Sequence, residues 1–333
     1  MAYPKPLSQK SLDKMYAQAE IDVEMSDYLH KLFAACANLY GAICVRDIWE
    51  LFHNNEDFPQ KLRQKDLIAF SAIARREVQP YHIYEVDEMY SNEKRKELYR
   101  MVIHQDLVLY GSNRFYRAYE VLDKAYKHPP YVPADILKFA EPFKTAQEEA
   151  LERFLGRLRV TMDEYVMPSG RVLPCVYKGQ RLKDFSFLSY DDKFELEYFK
   201  NKPKQLESLR RETAGNAAEK LVRKFVFQDK VGEFSTAKLI EYMLGELDEI
   251  GVDMNEYQLE RLMPLINDLH NSLNMWCLSG WSPNELAKRT SFSGTPVMTF
   301  GPGMQKAFAE GTLDREQLIN EVRKHGFIVE DDE

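Results

Sequence analysis

Asp191, Asp192, Glu195 and Glu197, in the run SYDDKFELE, could hold a divalent cation, because hard cations take carboxylate oxygens. The same run reads as well as the solvated acidic start of a helix. Gly301-Pro302-Gly303 leads straight into a helical pattern and could receive an anion on free N–H groups. It lacks the Lys-Ser/Thr of a phosphate loop, so turn chemistry is the default. Gly111-Ser112 in YGSNRFYRAYEVLD has the look of a nucleotidyltransferase opening. That chemistry needs two carboxylates two apart on a strand, whereas Glu120 and Asp123 are three apart in an apparent helix. Cys36, Cys44, Cys175 and Cys277 form no Cys-x-x-Cys pair and read as buried free thiols of a reducing compartment. His30, His53, His82, His104, His128, His270 and His325 show no metal-ligand spacing. No Ser-His-Asp or Cys-His arrangement can be read, so we expect no catalytic set, no metal and no cofactor.

Two sets of residues remain as binding candidates. The first is SLNMWCLSGWSPNE, which holds two of the chain's 3 Trp. Its candidates are Asn271, Asn274, Trp276, Trp281, Asn284 and Glu285. Leu259, Leu262, Leu265, Ile266, Leu269, Leu273 and Trp276 lay one apolar stripe along a long helix that Gly280 would stop. Ser282, Pro283 and Glu285 supply the N-cap, first turn and capping box of the next helix. Trp276 and Trp281 would then pack across a corner. Asn271 and Asn274 would share a face and bond the turn carbonyls. Core packing is the leading reading of the stretch, and a ligand or partner pocket is the alternative. The second set is Lys61, Arg63, Lys65, Arg75 and Arg76, around the helix at 61–76. These could meet DNA phosphates and bases, although basic residues at the ends of an apolar helix more often form a solvated face.

The elements that must carry these residues are mostly helical. SDYLHKLFAACANLYG places Leu29, Leu32, Phe33, Cys36 and Leu39 on one face, with Ser26 as N-cap and Gly41 as stop. A short apolar piece, AICV, follows and reads as a short strand. A helix then carries Ile48, Trp49 and Phe52, and another carries Leu67, Ile68, Phe70, Ile73 and Ala74. QPYHIYEVDEMY and RMVIHQDLVLYG read as strands around a polar helical segment. This order is that of a winged helix-turn-helix. Pro129 and Pro130 end a further helix. Residues 160–200 read as an irregular connection with a small hairpin. Beyond 203 the pattern is helical again, with Ser235 or Thr236 and Asn255 as caps and Gly251 as a stop.

The chain has 333 residues and a net charge of −8. Residues 1–130 carry 18 basic against 19 acidic groups, and residues 201–333 carry 16 against 22. The acidic final third argues against a nucleic-acid footprint there. MAYPKPLSQKS lacks the apolar core of a signal peptide, and no stretch approaches the roughly 20 apolar residues of a membrane span. We therefore expect a cytoplasmic protein that engages no membrane.

Three stretches resemble a group of bacterial proteins, many of which end in a SEC-C-type zinc motif. LFAACANLYGAICVRDIWELF is similar to the group's "anLYG-I" opening of a winged-helix-like domain. PPYVPADILKFAEPF is similar to its "YYIPS-ELLKYA" connection, and NSLNMWCLSGWSPNELAKR to its "NNTRxWxNxGxTPNEL" corner. Asn271, Asn274, Trp276, Gly280, Pro283, Asn284 and Glu285 match the last motif. The zinc tail is not carried over, because no Cys follows Cys277 and the chain ends GFIVEDDE. The resemblance implies a fold and no established activity.

The expected architecture is mainly α, with two helical domains. A winged-helix-like domain with a small β-hairpin would occupy 1–130, connecting helices and an irregular linker 131–200, and a C-terminal helical domain 201–333. The expected function is that of a non-enzymatic interaction, adaptor or inhibitor protein, regulatory or carried by a mobile element. It would meet another protein through an acidic helical surface. The alternative is a DNA-binding transcriptional regulator using 61–76, and a hydrolase or transferase with a dispersed site is the least favoured reading.

Overall fold

In the computed structural model the described residues are 3–55, 58–59, 61–90, 93–109, 113–166, 172–187, 214–232, 236–291, 297–298, 308, 315, 319 and 328–329. The chain is mainly helical and divides into two compact units, Met1–Ser282 and Pro283–Glu333.

In the first unit, α1 (Gln9–Gln18) precedes α2 (Val23–Tyr40). Asp22, and not Ser26, caps α2: its carboxylate accepts the Met25 N–H at 2.8 Å, which leaves Ser26 in the first turn. Leu29, Leu32, Phe33, Cys36 and Leu39 are all buried, as their spacing predicts. Gly41 ends the helix with a φ of +72°. A methyl group there would lie 2.7 Å from Trp276 Cγ, so both the backbone and the packing demand glycine.

The chain continues through β1 (Ala42–Cys44), α3 (Val45–Phe52), α4 (Gln64–Ala74), β2 (Tyr81–Tyr84), the single-turn α5 (Val86–Met89) and β3 (Met101–His104). The strands form one antiparallel sheet in the order β1-β3-β2, with Ala42 opposite Ile103 and Ile83 opposite Val102. The third strand, β1, falls on the short strand read at AICV, and two of the longer expected runs stop early. After Tyr84 the chain turns into α5, because the Glu85 N–H donates to Glu88 Oε2 at 2.8 Å and closes a helical turn. The polar segment before β3 holds a 3-10 turn at Glu97–Tyr99 in place of a helix. Both faces of the sheet are covered. Ile43, Ile83 and Val102 join the cluster with Phe33 and Phe70. Ala42, Met101 and Ile103, pointing the other way, join Val121, Val231 and Trp276.

A second helical layer follows α6 (Tyr116–Ala125): α7 (Ala146–Leu155), α8 (Ala217–Val231), α9 (Thr236–Ile250) and α10 (Glu256–Ser272). Leu151, Leu155, Leu221, Phe225, Met243 and Ile266 build its core. Caps fix its ends. Asn216 accepts the Glu219 N–H at 3.0 Å, and Asn255 accepts the Gln258 N–H at 2.9 Å. A small hairpin, β4 (Glu164–Val166) with β5 (Val172–Pro174), sits in the connection where one is expected. The second unit contains α11 (Pro283–Ser291), which starts at the expected proline, and the parallel pair β6 (Val297–Met298) with β7 (Ile328–Val329). Among the described residues no helix is long and apolar enough to cross a membrane.

Candidate functional site

The helix expected to run to Gly280 ends at Ser272. Leu273 is extended, with φ −73° and ψ 129°, and a tight loop follows. In that loop Met275 N–H donates to Trp281 O at 3.0 Å and Gly280 N–H to Met275 O at 2.9 Å. Asn274 Nδ2 donates to Gly280 O at 2.8 Å, a turn carbonyl as expected. Asn271 stays in the last turn of α10, so the two asparagines do not share a helix face. The break frees Trp276 from the stripe on α10 and sends it to α2. Its Nε1–H donates to Asn38 O at 2.8 Å. Asn38 lies in the last turn of α2, where a carbonyl has no partner within the helix, and the indole supplies one. The Asn38 side chain in turn donates to Phe139 O at 2.7 Å.

Around the buried indole the structure gathers groups from four separate segments. The His104 ring, at the end of β3, lies 4.9 Å from it, and the Lys230 ammonium, at the end of α8, 5.3 Å from its face. Phe227 meets it edge-on at 5.9 Å. These residues line a cavity of about 470 Å³ together with Asn274, Asp106 and Glu148. Asp106 N–H donates to His104 Nδ1 at 3.3 Å, which places the proton of the neutral imidazole on Nε2, and the Asp106 carboxylate lies 3.6 Å from the same Nδ1. Glu148 stands in the first turn of α7, which Thr145 caps by accepting its N–H at 3.1 Å. Burial draws the Lys230 ammonium below its ordinary range, against the pull of Glu148 and Asp106. Burial likewise pushes the Glu148 carboxyl up, with Lys230 opposing, and pushes the His104 imidazole down, with Asp106 opposing.

Of the expected corner, then, Asn274 and Trp276 meet in the cavity wall. Trp281 points elsewhere: its Nε1–H donates to Pro129 O at 2.7 Å and its ring packs 4.7 Å from Tyr131. The two indoles pack on different neighbours and not on each other across a corner. Asn284 and Glu285 belong to α11 in the other unit. His104, Asp106, Glu148 and Lys230 escaped the sequence reading because they converge from distant segments. One signal existed. Val222, Val226 and Lys230 are spaced four apart, which puts a cation at the end of an apolar helix stripe.

The basic set divides. Lys61, Arg63, Lys65 and Arg76 are exposed. Arg75 is buried, where a surface contact with DNA would need it exposed. Its guanidinium donates to Glu85 Oε1 at 2.9 Å and Glu88 Oε2 at 2.6 Å. Glu85 Oε1 also accepts Arg95 at 2.7 Å and Arg100 at 2.8 Å. Burial alone would raise the Glu85 pKa, but Arg100 and Arg95 overrule it and hold the carboxyl below its usual range. On α9, α10 and their connection, Glu241, Asp248, Glu249, Asp253, Glu256, Glu260 and Asp268 are exposed, against Lys238 and Arg261.

All four thiols are free and buried. Among the described residues no cluster of His, Cys, Asp or Glu could hold a metal ion. Glu120 and Asp123 are helical residues of α6, with Glu120 paired to Lys124 at 3.3 Å. The acidic run at Asp191, Asp192, Glu195 and Glu197, the Gly111-Ser112 step, the turn at 301–303, Ser235 and the tail at 330–333 lie outside the described residues. Comparison with protein-family models, with curated proteins and with solved structures returned no match.

Proposed function

We propose that the protein is a non-enzymatic interaction protein of the cytoplasm, an adaptor or inhibitor that engages a basic protein partner. The acidic face of α9 and α10 carries this reading. Exposed carboxylates outnumber exposed cations there by seven to two, and a surface of predominantly one sign steers and selects partners of opposite charge. The four free thiols agree with a reducing compartment.

The test is affinity capture from nuclease-treated host lysate. Wild type is compared with a variant carrying Glu241→Gln, Asp248→Asn, Glu249→Gln and Asp253→Asn. A protein held by wild type, released by moderate salt and lost from the variant is the expected result. Equal capture by both proteins would sink the reading.

A second reading is a DNA-binding regulator. The element order α2-β1-α3-α4-β2-α5-β3 with sheet order β1-β3-β2 favours a winged-helix-like region, α5 standing as an insertion between the last two strands. Exposed Lys61, Lys65 and Arg76 would then meet phosphates. Salt-dependent binding to duplex DNA, its log–log salt slope reduced by roughly 1 for each of these residues changed to Ala, would support it. No binding at low salt would remove it.

A further inference from the structure

The half-open cavity beside Trp276 presents opposite charges to one space, and Lys230 and Glu148 attract each other across it without forming an ion pair. Of its cations, Lys144 is committed to Glu152 at 2.6 Å, and Arg223 donates to Ala214 O at 3.2 Å. Lys230 forms no hydrogen bond or ion pair among the described residues and rests on the indole face. Glu148 likewise forms no ion pair among the described residues. The Nε2–H of neutral His104 is a further donor without an acceptor among them. Half-buried charges are retained at a cost unless something pairs them.

The unmatched groups specify the complement. Lys230 calls for one carboxylate, which the Nε2–H of His104 can also reach as a neutral donor, and Glu148 calls for one ammonium. A dianion such as phosphate is disfavoured, because Asp106, Glu141, Glu148, Glu152 and Glu219 outnumber the basic residues of the lining. A purely cationic ligand would leave Lys230 unmatched and add repulsion. Beside the charges, Val222, Val226, Phe143 and Phe227 offer an apolar wall. A space of about 470 Å³ is of the size that takes small ligands.

We propose that this cavity binds a free amino acid with an apolar side chain, its carboxylate received by Lys230 and His104 and its ammonium by Glu148. Burial now disfavours both the Lys230 ammonium and the Glu148 carboxylate, and a zwitterion between them would reverse both effects. The site is separate from the acidic face of α9 and α10, and either proposal can stand without the other.

The experiment is titration calorimetry of the full chain with L-leucine, L-methionine, L-isoleucine and L-phenylalanine. For each amino acid the decarboxylated amine, which lacks the carboxylate, and the N-acetyl derivative, which lacks the ammonium, are the controls. At least one amino acid should bind saturably, and the control that shares its side chain should bind about tenfold weaker or worse. Lys230→Gln and Glu148→Gln should each weaken binding by a similar factor with the melting temperature kept. Absence of saturable heat at millimolar amino acid would overturn the proposal. So would a control that binds as tightly as its parent, a result that needs only the wild-type protein.

Discussion

Trp276 closes a carbonyl on α2, supports Lys230 and fills the third apolar cluster. We expect Trp276→Ala to cost about 3–5 kcal/mol in a denaturant melt, the range for deleting a buried aromatic. Stability unchanged would mean that the indole serves binding alone. Two histidines should respond to pH with opposite sign. His270 Nδ1 lies 2.9 Å from Asp229 Oδ1, and this hydrogen bond raises its pKa against the opposing effect of burial. Its stabilisation is therefore in full below about pH 6.5 and is lost as pH rises through the raised value. His104 is lowered by burial, so the unfolded chain takes its proton first. Its contribution falls away as pH drops below about 6.5. Melting curves from about pH 5 to pH 9 should show the gap between wild type and His270→Gln widest in acid. The gap to His104→Gln should be widest in base. At this scale the sequence exposed Asn274 and Trp276, because tryptophan is rare and the motif dense. It hid His104, Glu148 and Lys230, which become neighbours only through tertiary folding.

Helix existence was legible wherever apolar residues repeated at helical spacing, and α2 and α4 follow that pattern closely. Element ends were less so. The stripe on α10 continues through Leu273 and Trp276, so periodicity alone extends the helix. The bond from Trp276 to Asn38 outweighs one more helical turn. The strand reading past Tyr84 failed similarly, because the buried Arg75 and Arg100 require Glu85 where it stands. Between elements, Lys124 on α6 donates to Val231 O at 3.3 Å and Gly232 O at 2.8 Å, capping the C-terminus of α8. Lys124→Met should lower stability by ~1 kcal/mol, and hydrogen exchange should quicken first in the last turn of α8. Uniform loss of protection across the unit would contradict a local capping role.

The first unit is stitched across its length. Val231 and Trp276 complete an apolar cluster whose other members lie between Ala42 and Val121. A fragment of residues 1–140 would lack both and would expose one face of the sheet. We expect it to melt without a sharp transition, or far below the full chain, by circular dichroism. A fragment with full-chain melting would show that the N-terminal region stands alone. No periodicity could reveal this stitching, since it joins positions 238 residues apart.

The same bond has a consequence for biosynthesis. When α2 leaves the ribosome, the indole that satisfies its last turn has not yet been made. At about 5–20 residues per second the nascent chain waits roughly 10–50 s for position 276. Once β3 has also been made, one side of the β1-β3-β2 sheet presents Ala42, Met101 and Ile103 without Val231 and Trp276 for the rest of that interval. The growing polypeptide is thus most open to chaperones, proteases and self-association during the middle of its own translation.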